Sequence, residues 1–158
     1  MLDQTVGRLK NPLLEPKPTL TADIQIQIQR GYAFVAMPMD ENNHELVDVC
    51  EAIQRAASDC GIVAQRIDED ESSERITDQI LESIRKAEFV IVDLTKERPN
   101  VFFEAGYAHG FGKLPIYIAR HGTQIHFDVK DYPVIFFRNM KELREKLERR
   151  FRGIAEKK

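Results

Sequence analysis

The sequence has no apolar run approaching the length of a bilayer span, and its first residues lack the apolar core of a secretory leader. A cytoplasmic protein with no membrane partner is therefore expected. Positive charge is not in surplus: 23 Lys and Arg stand against 26 Asp and Glu, for a formal net charge of −3. That balance argues against nonspecific nucleic-acid binding as the main role, so any phosphate must be held locally. Cysteine is scarce. Cys50 and Cys60 fall on or near one predicted helix and do not form a C-x-x-C pair, which leaves small buried hydrophobes as their default role. His121 and His126 flank a predicted loop beside Asp128, with no second ligand pair at metal-site spacing, so no metal and no cofactor is expected. The loop Met37-Pro38-Met39-Asp40-Glu41-Asn42-Asn43 after the first predicted strand has no glycine-rich phosphate cradle and carries acids instead.

The 158 residues are 42% hydrophobic and 31% charged, which fits one folded domain with an ordinary core. Residues 1–30 read as an arm ahead of a domain spanning 31–158. The arm has Pro12, Pro16 and Pro18 and no periodicity up to residue 19, followed by the strict alternation Ile24-Gln25-Ile26-Gln27-Ile28-Gln29. That alternation predicts an extra, half-exposed edge strand, whose unpaired backbone groups can accept another chain. A homodimer or higher homo-oligomer is expected from it.

From Gly31 the pattern alternates strand and helix. The predicted elements are a strand over Tyr32–Met37, a helix over 43–60 ended by Gly61, a strand over 62–67 and a helix over 73–86 with Ile76, Ile80, Leu81 and Ile84 on one face. A strand through Phe89–Val92 and a helix from about Val101 follow, then strands over Leu114–Ala119 and Val134–Phe137. A final helix over Met140–Ile154 carries Leu143, Leu147 and Phe151 as its apolar stripe. This order predicts an α/β, three-layer, flavodoxin-like (Rossmann-like) sandwich around a mostly parallel five-stranded sheet.

The richest stretch is 89–113. Phe89–Val92 is short, apolar and β-branched, as a doubly buried parallel strand is, and it ends in Asp93 at the sheet edge where open α/β folds bind ligands. Pro99 and Asn100 mark a helix start, with Asn100 as the predicted cap. Glu104 then lies about one turn inside, where the dipole favours a carboxylate and where Phe102, Phe103 and Tyr107 can shield it. Gly106 and Gly110 sit one turn apart, bracketing Tyr107 and His109, and predict a close backbone approach. Arg66, ending the second strand, and Arg75, at the start of the second helix, are the cations expected to meet a phosphate.

Asp93-Leu94-Thr95, then Pro99-Asn100-Val101-Phe102-Phe103-Glu104-Ala105-Gly106-Tyr107-Ala108-His109, with Gly112-Lys113 before the next strand, resembles the signature of nucleoside 2-deoxyribosyltransferase-like proteins. More narrowly, the chain is similar to the bacterial nucleotide-binding branch that shades into TIR-like domains. Phe34-Val35-Ala36-Met37-Pro38 resembles that branch's first strand, Arg66-Ile67-Asp68 its second strand end, and Ile76-Thr77-Asp78-Gln79-Ile80 the opening of its second helix. The resemblance covers about residues 32–119. It implies cleavage or transfer at the N-glycosidic bond of a nucleoside or nucleotide, with Glu104 attacking the anomeric carbon and Asp78 at the base and sugar. The further aspartate that the transferases place shortly before the nucleophile has no counterpart, Arg98 and Pro99 occupying that stretch.

The residue types suit the reaction: an oxocarbenium-like transition state needs a carboxylate to capture or stabilise positive charge, and a second acid to protonate the leaving base. The expected catalytic set is Glu104, Asp78 and Asp93. The expected substrate-binding set is Met37, Pro38, Met39, Arg66, Arg75, Asn100, Tyr107 and His109. Three functions fit: an N-glycosidase or deoxyribosyltransferase, a TIR-like NAD hydrolase acting as an effector, and a non-catalytic nucleotide-binding sensor.

Overall fold

The computed structural model describes residues 26–38, 40–67 and 76–157. Five strands and four helices alternate: β1 (Gln29–Ala36), α1 (His44–Asp59), β2 (Val63–Gln65), α2 (Ile76–Lys86), β3 (Ala87–Asp93), α3 (Pro99–Gly110), β4 (Ile116–Arg120), β5 (Val134–Phe137) and α4 (Met140–Glu156). The strands form one sheet in the order β2-β1-β3-β4-β5, and every pairing is parallel.

Two apolar clusters cover the two faces of the sheet and make the three layers. On one side α1 and α4 bury Ile53, Leu143, Leu147 and Phe151 against Val35, Ile91 and Ile118. On the other, α2 and α3 bury Ile80, Ile84, Val101 and Ala108 against Phe34, Val92 and Tyr117. Alternate residues of each strand therefore serve opposite cores, which is why β1 and β3 read as continuous apolar runs. Each fully buried large side chain contributes roughly 1.5–3 kcal/mol of transfer free energy. The β4–β5 crossover has no helix among residues 121–133; Val129 from this segment packs into the α2/α3 cluster.

Local signals account for several boundaries. Asn43 caps α1 by accepting from the N–H groups of Glu45 and Leu46, and Asn139 caps α4 by accepting from Glu142. Gly61 ends α1 as expected, with φ of +71°. Cys50 and Cys60 are half-buried and pack against the α1/α4 cluster.

The N-terminal strand differs from expectation. Ile24 and Gln25 lie outside the described residues, Ile26–Ile28 takes no regular structure, and Gln29 belongs to β1, where it pairs with Ala87. β1 is an interior strand between β2 and β3, so the sheet edges are β2 and β5. Alternation alone does not make an edge strand when neither face is covered: Gln27 is exposed and Ile28 is 45% exposed.

Candidate active site

Strand order reverses between β1, whose next strand lies to one side, and β3, which lies on the other. The carboxyl ends of these two strands flank the crevice that open α/β sheets use for ligands. Met37 and Pro38 leave β1 at this point, both buried; Met39 lies outside the described residues. Asp93 closes β3 and is 1% exposed.

The loop after Asp93 is organised by that carboxylate. Its Oδ1 accepts from the Thr95 N–H at 2.9 Å and from the Thr95 hydroxyl at 2.6 Å, the turn by which a short acidic side chain mimics backbone. Thr95 Oγ1 in turn accepts from the Arg120 N–H at 3.0 Å, and the Leu94 N–H donates to the Ile118 carbonyl, so the ends of β3 and β4 are tied together. Burial pushes the Asp93 carboxyl above the ordinary carboxylate value, outweighing the Thr95 hydrogen bonds and the Arg120 charge, which pull it down. Arg120 pairs with Glu45 at the start of α1 and lies 5.6 Å from the Phe137 ring centre. Glu97, in the same loop, is the one non-glycine residue with positive φ (+47°) among the described residues, a conformation uncommon for residues with a Cβ.

The helix that follows begins at Pro99, two residues earlier than expected. Its cap is Arg98, extended and without a side-chain cap bond, so Asn100 is a first-turn residue on the exposed side and not the cap. Proline at the first helical position lacks the N–H that a cap would serve. Glu104 consequently lies beyond the first turn, where the dipole has largely faded. Its distinguishing property is burial: it is 7% exposed on the face shared with Val101, Ala105 and Ala108. The expected aromatic shield is only partly present. Phe103 is 59% exposed, Phe102 packs edge-on to His126 at 5.8 Å, and Tyr107 leans on Phe111 at 4.9 Å. Gly106 and Gly110 face open space, with nothing within 4 Å of an added Cβ, so close packing is not why they are glycine.

The remaining expected residues are distributed as follows. Asp78 occupies the first turn of α2 and is exposed; α2 and α3 both start at the carboxyl-terminal edge, so Asp78, Asp93 and Glu104 share that end of the sheet without sharing its burial. Arg66 is half-buried just past β2, and Arg75 is outside the described residues. His109 is half-buried, its Nε2 2.8 Å from the Tyr117 hydroxyl and its ring 4.7 Å from that of Tyr132. Burial pushes the Tyr117 phenol up to about 12.

Thr95, Arg120, Tyr117 and Tyr132 were not among the expected site residues. For Thr95 a signal existed, because Asp followed two residues later by Thr at a strand end is a turn pattern. For the other three none did: their partners lie on other elements.

The site and fold define a parallel α/β sandwich with buried carboxylates at the switch-point edge of its sheet. A solved structure with the same fold is that of the Clostridium botulinum CMP N-glycosidase BcmB, which is 17% identical in sequence, superposes with a TM-score of 0.59, and is matched over 74% of this chain and 98% of its own. That likeness shows a shared fold. No family model matches the chain, and no curated protein matches it in sequence.

Proposed function

We propose that this protein cleaves the N-glycosidic bond of a nucleoside or nucleotide, with Glu104 as the nucleophile or as the carboxylate that stabilises the oxocarbenium-like centre. The observation that carries this reading is a carboxylate only 7% exposed, on α3 below the end of β3, in a fold shared with a CMP N-glycosidase. A carboxylate removed from water interacts more strongly with developing positive charge than a solvated one.

In the retaining form of the reaction Glu104 displaces the base from the anomeric carbon, and water then hydrolyses the glycosyl ester, giving free base and the sugar, or the sugar 5-phosphate from a nucleotide, and returning the Glu104 carboxylate. Asp78, at the open mouth of the site, protonates the leaving base. Asp93 acts through Thr95 on the loop that carries α3. The Met37–Met39 segment, Asn100, Tyr107 and His109 line the substrate, and Arg66 and Arg75 supply the charge for a 5′-phosphate, which favours nucleotides over nucleosides.

The test is base release from a panel of nucleosides, nucleoside monophosphates and NAD, with calorimetric binding run on the same panel for wild type and Glu104→Gln. Release from a monophosphate by wild type, lost in Glu104→Gln with binding kept, is the expected result. Equal turnover by the two proteins would eliminate the mechanism. Turnover of NAD alone would move the substrate to a dinucleotide, and binding without turnover in either protein would make the pocket a sensor.

A further inference from the structure

Diagonally opposite the candidate active site, where the second half of α4 passes the start of β5, lies a groove of about 510 Å³. Lys146, Arg149, Arg150 and Lys157 line it, and no carboxylate does. Lys146 is engaged within the chain, pairing with Glu142 at 2.8 Å and donating to the Phe136 carbonyl at 2.6 Å. The lysine on that carbonyl blunts the open edge of β5 against strand addition. Arg149, Arg150 and Lys157 have no carboxylate partner among the described residues. Three such cations gathered around Ile154 repel one another, and an anionic partner relieves that cost.

The chain carries a matching segment at its other corner. Residues 68–74 read Asp-Glu-Asp-Glu-Ser-Ser-Glu, five carboxylates in seven positions; they lie outside the described residues, between Ile67 and Ile76. Charge is segregated on a larger scale too: residues 40–78 hold twelve acids against three basic residues, and residues 140–158 hold eight basic residues against four acids. The segment cannot reach the groove of its own chain. It is anchored at both ends at the carboxyl-terminal edge beside β2, so it extends about 15 Å at most. The groove lies at the amino-terminal end, beyond the seven residues of β3, about 20 Å of strand, and four strands across the sheet.

We propose that the α4/β5 groove binds the acidic 68–74 segment of a second copy of this chain, head to tail. Such a contact is heterologous: a joined pair still has one free groove and one free acidic segment, so assembly continues into rings or filaments and does not stop at dimers. In sequence, residues 68–75 lead directly into the α2 turn that carries Asp78.

Sedimentation velocity on the full chain tests this. Wild type should form species larger than dimers in about 50 mM salt, weakened roughly tenfold or more in about 500 mM. Arg149→Glu with Arg150→Glu should be monomeric, Arg149→Lys with Arg150→Lys should still assemble, and far-UV circular dichroism should show all of them folded. A chain with Asp68→Asn, Glu69→Gln, Asp70→Asn, Glu71→Gln and Glu74→Gln should also be monomeric. Mixing that chain with the Arg149→Glu, Arg150→Glu chain should give dimers and nothing larger, because only one complementary pair remains. Deleting residues 1–25 should leave assembly intact. A wild type that stays monomeric, assembly indifferent to salt or to either set of substitutions, a mixture that does not pair, or loss of assembly on deleting 1–25 would each overturn the proposal.

Discussion

At the carboxyl-terminal end of the strands, Asp93 and Glu104 are 1% and 7% exposed, and the Asp93 carboxylate is spent on organising a loop through Thr95. At the amino-terminal end, Arg149 is exposed and Arg150 half-buried, and together with Lys157 they line an open groove that no carboxylate lines. The same apolar strands run between the two. Burial at one end raises the energy of a charge and makes it useful for a transition state that develops the opposite charge. Exposure at the other leaves charge cheap to keep and readable by a partner at long range. The two ends therefore fail differently when mutated.

The largest difference should come from Glu104→Gln. The amide keeps size and most hydrogen bonding but removes the charge, so base release should fall by several orders of magnitude, roughly 4 kcal/mol or more of transition-state stabilisation. Folding and groove-dependent assembly should be untouched. Thermal unfolding and sedimentation run beside the activity measurement check this; a parallel loss of assembly would show that the two ends are not independent.

Phe151→Ala attacks the core between α4 and the sheet. Phe151 is 1% exposed and meets Phe89 edge-on at 5.4 Å, so truncation should cost about 3–4 kcal/mol of stability and lower the melting temperature by roughly 10 °C. Base release per folded molecule at room temperature should stay near wild type, because the cavity opens on the α1/α4 side of the sheet and Glu104 lies on the other.

Thr95→Ala removes the hydroxyl that joins Asp93 to the Arg120 N–H. It should cost about 1–2 kcal/mol in urea unfolding, with a modest fall in base release because the loop carrying α3 loosens. Thr95→Ser should restore both. Equal behaviour of the Ala and Ser variants would show that the methyl group, and not the hydroxyl, matters there.

The smallest effect is in pH dependence. Asp93 has a folded-state value raised by burial above its ordinary 3.8, so the native chain holds a proton that the unfolded chain releases first. Stability from this group is present below the ordinary value and is lost as pH rises toward the raised one. Asp93→Asn should lack that component of the slope. Urea midpoints measured through the acid range for both proteins check it, and identical slopes would mean that Asp93 ionises normally.

Much of this was legible in the sequence. β-branched apolar runs at Phe34–Ala36 and Phe89–Val92, separated by helical periodicity, require a parallel sheet covered on both faces, because each run is apolar on both sides and must be buried twice. Gly61 and the apolar stripe Leu143, Leu147 and Phe151 marked a helix end and a helix face for the same reason: backbone conformation and side-chain period are local properties. The burial of Glu104 was legible from its apolar and aromatic neighbours in the chain.

Only the tertiary structure decided what those acids do. That Asp93 is spent on Thr95 and Arg120, that Phe103 faces solvent, that Gly106 and Gly110 stand in open space, and that Gln29 belongs to an interior strand all depend on which elements lie alongside. The same holds for the groove: Val134–Phe136 and Lys146–Lys157 become neighbours only because α4 folds back along β5 on the outside of the sheet. Periodicity reports which side of an element is apolar, whereas burial, hydrogen-bond partners and the pooling of like charges are set by contacts between residues far apart in the chain, to which no local pattern is sensitive.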